Sequence, residues 1–180
     1  MGRTGKVYRR IRASLTDKPT FFTWVRDGRL AASGRPYSKS QVDWAKEKGV
    51  TAILSLTEEP LPSGWTLGLE TRHISMKDHA PVSHSDMLLG ADYIASALSE
   101  GKVVLVHCLA GKGRTGCVLA AYLIAHEGKT ARQAIDELRA AREGSVERQQ
   151  EQRVLEFEAE ALKARSPGTP RRETTPRTRP

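Results

Sequence analysis

Apolar and polar positions recur with two different periods along this chain, and the switches between them outline its elements. FFTWV and RLAAS flank Arg26-Asp27-Gly28, and Asp-Gly between two apolar runs predicts a hairpin over 21–33. Ser40 is a candidate cap for a short helix through Lys48, closed by Gly49. VTAILSL predicts a strand at 50–56, followed by a loop at 57–69 that holds Pro60, Pro62, Gly64 and Gly68. Residues 70–76 alternate as the next strand. Ser83, with Asp86 three residues on, predicts a helix to about Ser99, and Gly101 lies past its end. KVVLV at 102–106 is short and continuously apolar, as in a strand covered on both faces. Thr115–Glu127 reads as a largely apolar helix stopped by Gly128. Thr130 begins another, with Ala131, Ala134, Ile135, Leu138 and Ala141 spaced for one buried stripe, and a last helix covers 146–164. Strands alternating with helices predict an α/β domain with a central, mostly parallel sheet flanked by helices.

Composition sets the outer limits. With 180 residues, 38% hydrophobic and 28% charged, the chain fits one domain with extensions. No stretch approaches the roughly 20 apolar residues of a membrane span. The net charge of +8 invites a nucleic-acid reading until it is located. Residues 1–18 carry Arg3, Lys6, Arg9, Arg10, Arg12 and Lys18 against Asp17, a net +5; residues 163–180 carry Lys163, Arg165, Arg171, Arg172, Arg177 and Arg179 against Glu173, again +5. The body between them is left at −2, so the basic character belongs to the ends and no specific nucleic-acid face is expected. The expected organisation is a basic, flexible arm at 1–19 (a transit peptide would look similar), a folded α/β domain at 20–164, and a disordered Pro/Thr-rich tail at 165–180. Two cysteines, Cys108 and Cys117, form neither a disulfide framework nor a zinc pattern. They fit a reducing compartment, and a cytoplasmic monomer is expected.

The chemistry gathers at 102–128, which reads strand, tight loop, helix. The loop runs from Cys108 to Arg114, six residues on, and contains Gly111 and Gly113. Glycine allows positive φ, which turns successive N–H groups inward as an anion nest. The next helix points its unsatisfied N–H groups at the same spot. Leu109, Ala110, Gly111, Lys112 and Gly113 would thus hold a phosphate dianion with Arg114, whose planar fork suits two phosphate oxygens. The same field favours the thiolate of Cys108 and makes it a nucleophile toward phosphorus. Thr115 is placed to give its hydroxyl to the departing sulfur. The alternative phosphate loop, GxxxxGK[ST], has a different spacing and is absent. A buried, inert cysteine would need none of these neighbours. No metal or cofactor is required, since Arg114, the amides and the helix terminus supply the positive field.

HCLAGKGRTG at 107–116 matches the Cys-x5-Arg loop of protein tyrosine phosphatases, and the chain resembles the small atypical dual-specificity phosphatases of that superfamily. GRLAASGRPYS, VTAILSL, SMKDHAPVS and EGSVERQQEQ look like that subgroup in the same order, so the resemblance covers roughly 20–160. It implies the protein tyrosine phosphatase-like fold and hydrolysis of phosphotyrosine, with phosphoserine and phosphothreonine as further substrates, in phosphorylated proteins. It also implies a general acid on a mobile loop, which Asp78, thirty residues before Cys108, would supply; Asp86 and Asp92 fall on a predicted helix. His107 would orient the loop through a hydrogen bond. Glu147, Gln149 and Gln150 would face the site and position the hydrolytic water, although Arg148-Gln149-Gln150 departs from the usual pattern there. AGKGRTG also resembles the tensin-related phosphoinositide phosphatases, which carry a second loop lysine directly after the cysteine; Leu109 stands there instead. A non-protein phosphate ester (phosphoinositide, inositol phosphate or nucleic-acid 5′-phosphate) and a phosphate-binding adaptor are the rival readings.

Overall fold

The computed structural model describes residues 16–165; the expected arm before Thr16 and the expected tail after Arg165 lie outside the described residues. Among the described residues, strands β1 (Thr23–Arg26), β2 (Leu30–Gly34), β3 (Ala52–Ser55), β4 (Glu70–His73) and β5 (Val104–Cys108) form one sheet in the order β1-β2-β5-β3-β4. Only the β1–β2 pair is antiparallel. The helices are α1 (Lys39–Glu47), α2 (His84–Ser99), α3 (Gly113–Glu127), α4 (Ala131–Ala141) and α5 (Arg148–Arg165). The expected mostly parallel α/β sheet is what the chain forms.

Alternation along the strands divides the interior in two. Leu30, Ala32, Ala52, Leu54, Val104 and Val106 join the large core under α2, α3, α4 and α5. Ala31, Ile53 and Leu105 point the other way, toward Val42 and Ala45 of α1. The continuous apolar run of β5 is explained by this double coverage, because every residue from Val104 to Cys108 is buried.

Several boundaries differ from the expectation for local reasons. Ser38, not Ser40, caps α1, its hydroxyl accepting from the Gln41 N–H at 3.3 Å. The strand expected over 50–56 is confined to Ala52–Ser55, and the one over 70–76 to Glu70–His73. The strand expected at 102–106 starts two residues later and carries Cys108 as its last residue. The helix after it begins at Gly113, so Arg114 belongs to its first turn. The last helix begins at Arg148, two residues later than expected. Thr130, the expected start of α4, closes a capping box with Gln133. Ala141 is exposed, because α4 ends there and its stripe stops at Leu138.

Helices α2 and α3 approach closely at Gly90, where an added Cβ would lie 2.6 Å from Cγ1 of the buried Val118. Valine is stiff about χ1, and its second methyl, Cγ2, would also lie only 3.3 Å from the added Cβ. Gly90→Ala is therefore expected to lower stability by about 1 kcal/mol, the overpacking cost exceeding the gain in helix propensity. A urea unfolding midpoint equal to or above that of the parent would contradict this packing.

Candidate active site

Register places the site. Gly34 of β2 stands opposite Cys108, and Ser33 and Ser55 stand opposite His107, so three parallel strands end together. Such carboxyl ends are where an open α/β sheet leaves a crevice. Cys108 is 2% exposed at that edge. The chain then turns through residues 109–112 into α3.

The turn is built around Gly111. Its φ is +76°, and an added Cβ would sit 2.5 Å from the backbone of Ser33, so no side chain fits there. Its N–H donates to Sγ of Cys108 at 3.2 Å. The loop carbonyls are held from outside: Leu109 O accepts from Arg35 N at 3.2 Å, Lys112 O from Gly116 N at 2.9 Å, and Gly111 O from Arg142 Nη2 at 2.7 Å. Leu109 and Ala110 are half-buried and Gly113 is buried. The Lys112 ammonium lies 5.1 Å from the centre of the Phe21 ring and beside Gly144, on the side of the α4–α5 turn.

Arg114 is 5% exposed, and its fork is committed to the segment after β4: Nη1 donates to Met76 O at 2.8 Å and Nη2 to Asp78 Oδ1 at 2.7 Å. The expected acid and the expected phosphate clamp are thus in direct contact. Asp78 keeps 29% of its side chain exposed and also faces His79 Nε2 at 3.5 Å. His79 takes a left-handed φ of +59°, which bends the loop back at this point. Asp86 instead lies in the first turn of α2, and Asp92 pairs with His126, so neither reaches the loop.

His107 stands in β5 directly before Cys108, whose backbone is a hydrogen-bonding influence on its ring. It is fully buried, and Nε2 meets Ser55 Oγ at 2.8 Å on the neighbouring strand. Burial, and then the nearby Arg35 charge, push its pKa down to about 3, so it stays neutral. The Thr115 hydroxyl is buried without a hydrogen-bond partner among the described residues. The helix that was expected to face the site divides by role. Gln149 is exposed. Glu147 brings Oε2 to 2.5 Å from where a Gly113 Cβ would be, against the start of α3. Gln150 is 3% exposed and grips the Asp78 loop from both ends of its amide: Nε2 donates to Ala80 O at 3.2 Å, and Oε1 accepts from Val82 N at 3.4 Å. Cys117 donates to the same Oε1 at 3.8 Å, and burial pushes its thiol up to about 12, which leaves it a packing residue beside Cys108.

A family model described as Swiss Army Knife protein, DSP-PTPase phosphatase domain, matches residues 19–155. The chain belongs to this family. Dual specificity protein phosphatase 12 of Rattus norvegicus is 35% identical over 101 residues, which are 53% of this chain and 29% of that protein. The chain thus spans less than a third of that relative's length. Phosphatidylglycerophosphate phosphatase PTPMT2 of Arabidopsis thaliana is 29% identical over 157 residues, 83% of this chain and 68% of that protein. The crystal structure of Tk-PTP in the active form aligns with a TM-score of 0.69 at 32% identity, covering 77% of this chain and 97% of that one. The chain is a cysteine-dependent hydrolase of the protein tyrosine and dual-specificity phosphatase class, with their fold.

The buried His107 makes the phosphatase sensitive to acid in a defined way. An unfolded chain protonates this histidine below about pH 6.5, whereas the folded chain resists until about 3. Stability therefore falls as pH falls across that window, by up to about 1.4 kcal/mol per pH unit from this group alone. His107→Asn is expected to lose that component, so its urea unfolding free energy declines less steeply than the parent's between pH 6.5 and 4. Parallel pH dependences would contradict a neutral buried His107.

Proposed function

We propose that the phosphatase hydrolyses phosphomonoesters on proteins, phosphotyrosine first and phosphoserine and phosphothreonine beside it, with Cys108 as nucleophile, Arg114 as phosphate clamp and Asp78 as general acid. The observation that carries the reading is the direct Arg114–Asp78 contact at 2.7 Å, since it brings two residues 36 positions apart to one point beside the Cys108 loop. A substrate dianion takes over the Arg114 fork and the inward N–H groups of residues 109–114. The thiolate of Cys108 attacks phosphorus, the bond to the leaving oxygen breaks, and Asp78 gives that oxygen its proton. Water then attacks the phosphocysteine and passes a proton back to Asp78. The P–S bond breaks, the Thr115 hydroxyl steadies the departing sulfur, and inorganic phosphate leaves. Gln150 positions the acid loop, and Glu147, packed against the start of α3, lies on the side from which the water arrives. Gln149, being exposed, has no part in this scheme. Two free cysteines support action in a reducing compartment such as the cytoplasm.

A second reading, a phosphate ester of a lipid, is favoured by the similarity to a phosphatidylglycerophosphate phosphatase over 83% of the chain. Lys112 does not strengthen it, because its ammonium packs toward Phe21 and Gly144. A parallel screen of phosphopeptides and of phosphatidylglycerophosphate and phosphoinositide vesicles separates the two: turnover confined to the lipids would overturn the protein-substrate proposal.

Cys108→Ser is expected to lower p-nitrophenyl phosphate turnover at least about 10³-fold while still binding vanadate or phosphate. Turnover at the parental rate would remove Cys108 from the mechanism. Asp78→Asn is expected to cost about 10²- to 10⁴-fold for alkyl phosphates and much less for p-nitrophenyl phosphate, whose leaving group needs little protonation. Equal losses for good and poor leaving groups would argue against Asp78 as the acid.

A further inference from the structure

Arg142, at the end of α4, was not singled out in the sequence, where it follows Arg139 as one more basic residue of a helix terminus. It is 1% exposed and among the largest fully buried side chains. A buried guanidinium is costly unless its donors are paired. Here Nη2 donates to Gly111 O at 2.7 Å, while Nη1 donates to Ala32 O at 2.8 Å and Phe21 O at 2.9 Å, and Nε is buried without a hydrogen-bond partner among the described residues. The Phe21 ring covers the group, 4.4 Å from Cζ, and Phe21 itself holds a left-handed φ of +58° to do so. No acidic side chain appears among these partners.

We infer that Arg142 is a positioning residue of the phosphatase reaction, holding the Gly111–Lys112 peptide in the orientation that aims loop amides at phosphate. In a planar trans peptide the carbonyl and the following N–H point in opposite directions. Tying Gly111 O to Arg142 therefore turns the Lys112 N–H away from Arg142 and into the loop. Gly111 at φ +76° followed by Lys112 in the right-handed region is the alternation that makes consecutive N–H groups converge on an anion. The convergence is already visible at one end, where the Gly111 N–H meets Cys108 Sγ. Burial lowers the Arg142 pKa to about 10, while the Cys108 charge opposes that fall, so the group is a permanent cation behind the loop at neutral pH. Arg114 holds substrate from the open side; Arg142 holds the loop from the closed side and never meets substrate.

The inference rests on the Cys108–Arg114 loop being the phosphate site, and the experiment separates the two. Parent, Arg142→Lys, Arg142→Gln and Phe21→Leu are compared for p-nitrophenyl phosphate kcat and KM, vanadate inhibition constant and urea unfolding midpoint. Misaimed amides are expected to weaken vanadate binding and kcat/KM together, by about 10- to 100-fold, short of the 10²- to 10³-fold typical of deleting an oxyanion donor outright. Lysine keeps the charge but not the fork, so Arg142→Lys is expected to show this loss while remaining folded. Phe21→Leu keeps all three carbonyl bonds, and its kcat/KM should stay within about threefold of the parent even where its midpoint falls. A folded Arg142 variant that binds vanadate like the parent overturns the inference. So does a Phe21→Leu loss as large as that of the Arg142 variants, which would reduce Arg142 to a staple for the chain before β1; that arm decides the matter if the Arg142 variants do not fold. Were Cys108→Ser to retain turnover, the underlying reading of the loop would fail instead, independently of the Arg142 result.

Discussion

A loop that binds an anion through its backbone must leave N–H groups unpaired on one side and satisfy its carbonyls on the other. Unpaired buried polar groups are expensive, so the second half of that requirement governs much of the surrounding architecture. Leu109, Gly111 and Lys112 each have their carbonyl taken by a different element: Arg35 after β2, Arg142 after α4, and Gly116 inside α3. Parallel pairing of β5 with β2 and β3 brings those elements to one edge, and the lack of room for a Cβ at Gly111 seals the loop against β2. The crevice is thus a by-product of where the carbonyls had to go.

The Asp78 loop is held by the same economy of partners. Arg114 secures Met76 and Asp78 from beneath, and Gln150 secures Ala80 and Val82 from α5. Few loop-internal bonds are needed because two buried side chains from neighbouring helices supply them. This explains why a carboxylate on an irregular segment can be presented at one point, and why α5, remote in sequence, bears on that segment.

The sheet, its helices and the Cys108–Arg114 loop were legible because they rest on local signals: period, caps, and six-residue spacing around glycines. Asp78 was reachable only by resemblance, since a loop carboxylate carries no local mark of its contact with Arg114. His107 was half legible. Its place beside the loop was evident, but its burial and its partner Ser55 depend on a register between strands 52 residues apart that no local pattern states. Arg142 was not legible at all: a basic residue at a helix end normally faces water, and its burial depends on Phe21 and Ala32, each more than a hundred residues earlier. Gln150 and Gln149 were indistinguishable as letters, and only the rotation of α5 decides that one is buried and the other exposed.

The pairing of Arg114 with Asp78 has a bearing on the end of the catalytic cycle as well as its beginning. Under the proposed mechanism Asp78 recovers its proton from the attacking water, and once that proton passes to solvent the carboxylate again faces the guanidinium beside the product. Inorganic phosphate then shares its main counter-ion with an internal competitor that cannot diffuse away. Such an arrangement lowers the residence of product at the expense of some substrate affinity, and it leaves the empty crevice with its exposed-side cation already neutralised. The empty crevice thus carries its own competitor for the Arg114 fork.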